Sequence, residues 1–193
     1  MTHLRRARTR SAVARTREIG QCARHGCGRT LDAGSAAVAE QGLNAGELPI
    51  GAVVVIGGKI VGSAYTQERA QRRLLVHAEL LALDECDRVP GLQRSEATLY
   101  TTVEPCLMCL GAAMTTMVGS VVYALPSDTD GTARFVREWD RQRERDSWEA
   151  YRVPVVRGGV LAAEASRLFQ QFIATGPADD PLRVRARRLL PSA

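Results

Sequence analysis

A chain of 193 residues with 45% apolar and 24% charged side chains is long enough for one domain with a proper core, and its composition is typical of a soluble globular protein. No apolar run reaches the length that crosses a membrane, and the first residues lack the apolar segment of a signal peptide. The composition excludes a membrane-spanning protein, and we expect a cytoplasmic location without membrane contact.

The net charge of +5 is concentrated at the two ends of the chain. Residues 1–29 carry eight arginines and one glutamate, and residues 176–193 carry four arginines and two aspartates. Residues 30–175 carry 14 basic and 18 acidic groups and are mildly acidic. We therefore predict an Arg-rich, disordered arm over 1–29, a folded domain over 30–175 and a loose basic tail over 176–193. A transit peptide and an arm that contacts nucleic acid are the alternatives for residues 1–29.

Hydrophobic periodicity predicts alternating helices and strands along the body of the chain. The predicted elements are, in chain order, a helix at 31–45, strands at 50–56 and 59–65, a polar loop at 66–75, a helix at 76–87, a strand at 97–103, a helix at 105–118, a strand at 120–125, a charged helix at 133–150, a strand at 152–156 and a helix at 161–175. Gly57-Gly58 makes the first two strands a hairpin. Alternation of this kind is typical of an α/β layer fold.

Two short segments carry the groups that predict chemistry. Val76-His77-Ala78-Glu79 contains an imidazole and a carboxylate, and Glu104-Pro105-Cys106-Leu107-Met108-Cys109 contains two thiols. Zinc takes nitrogen and sulfur ligands in a tetrahedron, and a catalytic zinc keeps its fourth position for water. We therefore predict zinc ligation by His77, Cys106 and Cys109.

The remaining polar group of the first segment is Glu79, which follows His77 by two residues. A carboxylate at this distance is placed to reach the water of the site, take its proton and later protonate a departing amine. Glu79 is therefore the predicted catalytic residue. The alternative is a structural zinc site, for which Cys86 is the nearby candidate for a fourth ligand.

The two segments together form the H-x-E…P-C-x-x-C pattern of the zinc nucleobase deaminases. Over roughly Leu31 to Thr175 the chain resembles the cytidine/deoxycytidylate deaminase superfamily, in the branch that holds tRNA adenosine deaminases and bacterial guanine deaminases. The resemblance implies a three-layer α/β/α fold, with a five-stranded mixed sheet and helices on both faces. It also implies one Zn²⁺ per subunit, a zinc-dependent deaminase domain over residues 30–175, and a homodimer.

The chain departs from the family pattern where the family binds substrate. The spacing from Gly62 to His77 places Thr66 at a position that is commonly asparagine, and Tyr65 where an aromatic residue is usual. A hydroxyl offers fewer hydrogen bonds than an amide, so we predict that the substrate has changed while the chemistry is retained. Realignment of the loop, with Gln67 in the role of the asparagine, is the alternative.

The resemblance implies three further substrate-contacting positions, at Ala78, Glu104 and Pro105. Glu104 either bonds a ring N–H or orients backbone near the metal, and its place in the family pattern favours the second role. Phe135 and Trp139 could stack on a ring, although core packing is the commoner use of such residues.

We therefore expect a hydrolytic deaminase that releases ammonia from the exocyclic amine of a free nucleobase, nucleoside or related heterocycle, with purines favoured. The alternative is a tRNA wobble-adenosine deaminase, in which the arm and Arg69, Arg72 and Arg73 would contact phosphates. A zinc-bearing binding protein without turnover is a third hypothesis, from another class.

Overall fold

The computed structural model describes residues 27–140 and 151–190. In these residues five strands form one sheet, in the spatial order β2-β1-β3-β4-β5. The strands are β1 (Gly51–Ile56), β2 (Lys59–Tyr65), β3 (Thr98–Val103), β4 (Ser120–Leu125) and β5 (Val155–Arg157). Strand β1 pairs antiparallel with β2 and β3, whereas β3, β4 and β5 run parallel to one another. The predicted mixed sheet of five strands is therefore confirmed.

Seven α-helices accompany the sheet in the described residues. They are α1 (Cys27–Asn44), the short α2 (Glu68–Gln71), α3 (Ala78–Asp87), α4 (Leu107–Thr115), α5 (Ala133–Asp140), α6 (Ala162–Ala174) and α7 (Pro181–Arg188). A 3₁₀ turn, Arg94–Glu96, precedes β3. None of the helices in the described part of the chain combines the length and the apolar character that a membrane crossing requires.

Helices cover both faces of the sheet, as close contacts at two glycines show. A Cβ atom on Gly51 in β1 would overlap the backbone of Ala39 in α1, and a Cβ on Gly62 in β2 would overlap the carbonyl of Ala82 in α3. Gly51 lies opposite Tyr65, three residues from Gly62, so the two glycines point to opposite faces. Consistent with cover on both sides, Val53 and Val54 are both fully buried. The three-layer arrangement is thus confirmed.

The end of the chain differs from the prediction of a loose tail. Asp180 caps α7 by accepting a hydrogen bond from the amide of Leu182 at 2.9 Å, and Pro181 occupies the first turn. Arg183 is only 7% exposed and its guanidinium lies 4.7 Å from the ring centroid of Phe172 in α6. The prediction of a loose tail is wrong over Pro181–Arg188, because capping and burial of one face stabilise a helix there.

The helix predicted over 133–150 is described as far as Asp140, and residues 141–150 lie outside the described part of the chain. Most of the predicted arm, residues 1–26, also lies outside it, and α1 is described from Cys27 onward. The division at residues 29 and 175 therefore stays a prediction.

Candidate active site

The three predicted zinc ligands converge where α3 and α4 begin. His77 is the N-cap of α3 and Cys106 is the N-cap of α4, with Cys109 in the first turn of the same helix. The Nδ1 atom of His77 lies 3.7 Å from Sγ of Cys106 and 3.4 Å from Sγ of Cys109, and the two sulfurs are 3.5 Å apart. Zinc bonds of about 2.0–2.3 Å give tetrahedral edges of about 3.3–3.8 Å, so this triangle fits one zinc ion.

The ligand atoms share protons unequally when no metal holds them. Hydrogen bonds to Cys106 and to Glu68 raise the pKa of His77 to about 10. Hydrogen bonds from Cys109 and His77 lower the pKa of Cys106 to about 4, and the contact with Cys106, followed by burial, raises the pKa of Cys109. Without metal, Cys106 is therefore a thiolate, whereas His77 and Cys109 hold protons that a binding metal ion must displace.

Glu79 lies in the first turn of α3, beside the ligand triangle, and is 4% exposed. Its Oε1 accepts a 3.5 Å hydrogen bond from the hydroxyl of Thr101, while Oε2 is buried and has no hydrogen-bond partner among the described residues. Burial raises the pKa of the Glu79 carboxyl group. A buried carboxylate oxygen with a spare acceptor site and a raised pKa is suited to accept a proton and release it again.

Glu68 is a site residue that the sequence analysis missed. Its Oε1 lies 3.6 Å from Nε2 of His77, the ring nitrogen on the side away from the sulfurs. The contact with His77 lowers the pKa of Glu68, so the carboxylate is charged and orients the imidazole. No sequence signal could have identified it, because Glu68 lies nine residues before His77 in a polar segment read as a loop.

Glu47 holds Glu68 in place through the backbone of α2. Its carboxylate, 2% exposed, accepts hydrogen bonds from the amides of Arg69 at 3.1 Å and Ala70 at 2.7 Å. These amides belong to the first turn of α2, whose donors have no partner within so short a helix. The segment predicted as a loop is thus fixed by a buried charge.

Glu104 orients backbone beside the metal-ligand group, and this is the one of its two predicted roles that the sequence analysis favoured. Its Oε2 accepts from the amide of Ser127 at 3.0 Å and its Oε1 accepts from the amide of Ala133 at 2.8 Å. Both oxygens are therefore engaged in holding the segment between β4 and α5. Gly131 in that segment passes so close that a Cβ atom there would lie 2.5 Å from Oε2 of Glu104.

A small cavity adjoins the ligand triangle and contains some of the predicted substrate contacts. Its lining residues are Ile50, Thr66, Glu68, His77, Ala78, Glu79, Val103, Glu104, Cys106, Asp130, Arg185 and Leu189. Thr66, Ala78 and Glu104 are thus brought to the site. Tyr65 and Pro105 are absent from this lining among the described residues, and the Tyr65 side chain lies against Gly42 of α1 instead.

Thr66 is 1% exposed, and its hydroxyl can donate to Oε2 of Glu68 at 3.3 Å or to the carbonyl of Val76 at 3.4 Å. In the alternative alignment, Gln67 takes the role of the family's asparagine. The side-chain oxygen of Gln67, however, accepts a hydrogen bond from Gln71 at 2.6 Å, and Gln67 does not line the cavity. Of the two residues, Thr66 therefore has the position from which to contact a substrate. The contact itself stays a prediction.

Phe135 of the charged helix does not line this cavity, and the side chain of Trp139 lies outside the described part of the structure. Phe135 is 40% exposed and lies in a separate apolar groove with Leu107, Leu110 and Met114. Cys86, the candidate fourth ligand, is buried within α3 and lies outside the group of three ligand atoms found in the described residues.

Comparison with known proteins agrees with this geometry. The cytidine and deoxycytidylate deaminase zinc-binding region matches residues 30–125. The chain is 38% identical over 128 residues to a tRNA-specific adenosine deaminase of Bacillus subtilis, a match that covers 66% of this chain and 76% of the relative. The chain belongs to the cytidine and deoxycytidylate deaminase family. Its zinc-binding domain is shared with relatives that are named as deaminases.

Solved structures show the same deaminase fold. A structure from a study of tRNA:A34 deaminases aligns with a TM-score of 0.59 at 24% identity, covering 70% of this chain and 95% of that one. A guanine deaminase from Nitrosomonas europaea aligns with a TM-score of 0.58 at 23% identity, covering 73% and 83% of the two chains. The predicted family and fold are confirmed, and this deaminase-family chain has the His/Cys/Cys group that can bind the zinc ion.

Proposed function

We propose that this chain is a zinc-dependent hydrolytic deaminase of a small heterocycle, a free nucleobase, nucleoside or related ring, with purines favoured. The observation that carries the deaminase chemistry is the buried Oε2 of Glu79, which lacks a hydrogen-bond partner among the described residues; Glu79 lines the same cavity as His77 and Cys106. A structural zinc site has no use for such a carboxylate, so this geometry argues against the hypothesis of a binding protein without turnover.

A zinc ion held by His77, Cys106 and Cys109 supplies the Lewis acidity that makes hydroxide available near neutral pH. The chain's own contribution is the movement of protons by Glu79. Its Oε2 takes the proton of the attacking water and passes it to the ring nitrogen next to the reacting carbon. Glu79 then transfers the second proton of that water to the amine, which leaves as ammonia while the ring carbon acquires a carbonyl oxygen.

The walls of the cavity favour a small substrate. Arg185 of α7 and Leu189, the residue that caps its C-terminal end, both line the cavity, so the C-terminal helix lies beside the reacting groups. Four acidic residues also line the cavity, Glu68, Glu79, Glu104 and Asp130, against one arginine. An acidic lining opposes the phosphates of a polynucleotide, because like charges at close range repel.

Deamination of tRNA is the second candidate, and the similarity to the Bacillus subtilis tRNA-specific adenosine deaminase favours it. Arg72 and Arg73 are exposed a few residues before His77, where they could contact phosphates. Their side chains would then add to the positive charge of the N-terminal arm predicted from sequence.

Ammonia release distinguishes these candidates. We would assay purified full-length protein with free bases, nucleosides, nucleotides, triazines and a tRNA transcript, with Glu79→Ala as the inactive control. Turnover of a free base or nucleoside that changes little between about 50 and 200 mM salt supports the proposal. A preference for tRNA that falls steeply over this range, as counterion release predicts, would replace it with the second candidate. The homodimer and the cytoplasmic location stay predictions.

A further inference from the structure

We infer that Arg185 is a specificity-determining residue that donates hydrogen bonds to a neutral ring carbonyl of the substrate, and that Asp130 positions it. The inference rests on the proposed function and narrows its substrate class to oxo-substituted heterocycles. Arg185 belongs to α7, a helix absent from the sequence prediction, and the zinc chemistry makes no use of it.

The exposure of the polar groups defines the depth of the cavity. Glu79 is 4% exposed, whereas the side chains of Arg185 and Asp130 are 37% and 41% exposed. Glu79 is therefore at the floor and the Arg185–Asp130 pair is at the mouth. A ring whose reacting carbon lies next to Glu79 would present another of its substituents toward this pair.

The guanidinium of Arg185 has donors to spare. Its Nη2 lies 3.2 Å from Oδ2 of Asp130, and its Nη1 lies 4.0 Å from Oε2 of Glu68, beyond hydrogen-bond length. A guanidinium carries five N–H donors, so most of them are not used by these two contacts. The other polar lining groups are engaged more fully, since Glu104 binds two backbone amides and Glu68 binds His77.

The charge around the cavity selects the kind of acceptor. Arg185 is the one arginine or lysine among the described lining residues, and it is already paired with a carboxylate. A phosphate or carboxylate on the substrate would be repelled by Asp130 and Glu68, whereas a carbonyl oxygen carries no net charge. A neutral ring carbonyl is therefore the acceptor that this pair accommodates.

The backbone that carries Arg185 is fixed by packing. Arg183, two residues earlier, is buried and pairs with Asp180 at 2.6 Å, and Ala186 is fully buried. Asp130 is fixed as well, because its Oδ1 accepts hydrogen bonds from the hydroxyls of Ser127 and Thr129. A donor held in this way loses little conformational freedom when it binds a ligand.

The test uses pairs of rings in which the second member lacks one carbonyl oxygen: guanine with 2-aminopurine, and cytosine with 4-aminopyrimidine. For Arg185→Ala we expect kcat/KM for the oxo member to fall by about 10- to 100-fold, mainly through KM, since a hydrogen bond from a charged donor is lost. The value for its partner should change by less than about threefold. Asp130→Asn should give a smaller loss of the same kind, and Arg188→Ala, exposed on the same helix, should match wild type.

A second readout avoids turnover altogether. In a Glu79→Ala background, calorimetric binding of guanine should weaken on adding Arg185→Ala, and binding of 2-aminopurine should not. An equal loss for both members of a pair would overturn the inference, because it would indicate a purely structural role. A loss confined to guanosine monophosphate would also overturn it, because Arg185 would then bind the phosphate and not the ring carbonyl. If wild type neither turns over nor binds any ring, the proposed function and this inference both fail; normal wild-type turnover with unchanged ratios rejects the inference alone.

Discussion

The carboxylate of Glu68 lies 3.6 Å from Nε2 of His77 and fixes the ring so that Nδ1 points at the two cysteine sulfurs. Carboxylates in this position orient a ligand histidine and increase its basicity, and their loss typically lowers metal affinity by about 10- to 100-fold. The zinc site of this protein therefore depends on a residue from α2 as well as on the two motif segments.

Glu68→Gln should weaken zinc binding by about tenfold or more while leaving the three ligands in place. Competition with a chromogenic chelator measures the affinity, and Glu40→Gln, an exposed change on α1, is the matched control. Equal affinities for the two variants would show that Glu68 does not orient His77.

Glu79→Gln should keep zinc and lose about 10²- to 10⁴-fold in kcat, because the amide cannot carry the proton. Burial raises the pKa of Glu79, so the folded state disfavours the ionised carboxylate. The ionised carboxylate therefore destabilises the folded state, and this destabilisation increases as pH rises above the pKa of Glu79 in the unfolded chain. The glutamine variant should thus be at least as stable as wild type at neutral pH in urea unfolding. Activity within tenfold of wild type would remove Glu79 from the mechanism.

Zinc affinity should rise with pH. The pKa of His77 is raised to about 10 and that of Cys109 is raised as well, so both ligands hold protons at neutral pH before metal binds. Release of about two protons predicts that affinity increases about 100-fold per pH unit between pH 6 and 8. In the metal-free protein, the stability that His77 contributes is complete below its unfolded pKa of about 6.5 and is lost as pH rises through the folded value. Chelator competition at several pH values checks the slope, and a pH-independent affinity would contradict it.

Arg183→Ala should destabilise the protein by about 2 kcal/mol, because it removes a buried guanidinium from its contacts with Asp180 and the ring of Phe172. Arg188→Ala, an exposed change on the same helix, should stay within about 0.5 kcal/mol of wild type. Urea titration gives both values. If the two variants unfold alike, α7 is not held by Arg183.

Glu104→Gln should cost about 1–3 kcal/mol, since one of the two amides of Ser127 and Ala133 then meets a donor instead of an acceptor. Gly131→Ala should disturb the same segment from the other side, because its Cβ would press on the Glu104 carboxylate. Thermal unfolding compares both variants with wild type. Unchanged melting of Glu104→Gln would show that the segment does not need this anchor.

Much of the fold and the metal site could be predicted from sequence, because the signals are local. The glycine pair at Gly57-Gly58 does mark the hairpin, and both residues have positive φ. Pro105 does precede a helix that places Cys106 at its N-terminus. One signal was available and overlooked: Asp180-Pro181, followed by Leu182, Ala186 and Leu189 at helical spacing, is an N-cap with an apolar face.

The sequence by itself indicated most of the elements, the His77, Cys106 and Cys109 group, and Glu79 as the proposed catalytic carboxylate, because each depends on residue type and short spacing. The tertiary structure alone decided that Glu68 would support His77, that Glu104 would hold the segment around Gly131, and that Arg185 would stand at the mouth of the cavity opposite Asp130. Those pairings join residues from 9 to 55 positions apart through the packing of separate helices and loops, and no local pattern encodes such distances.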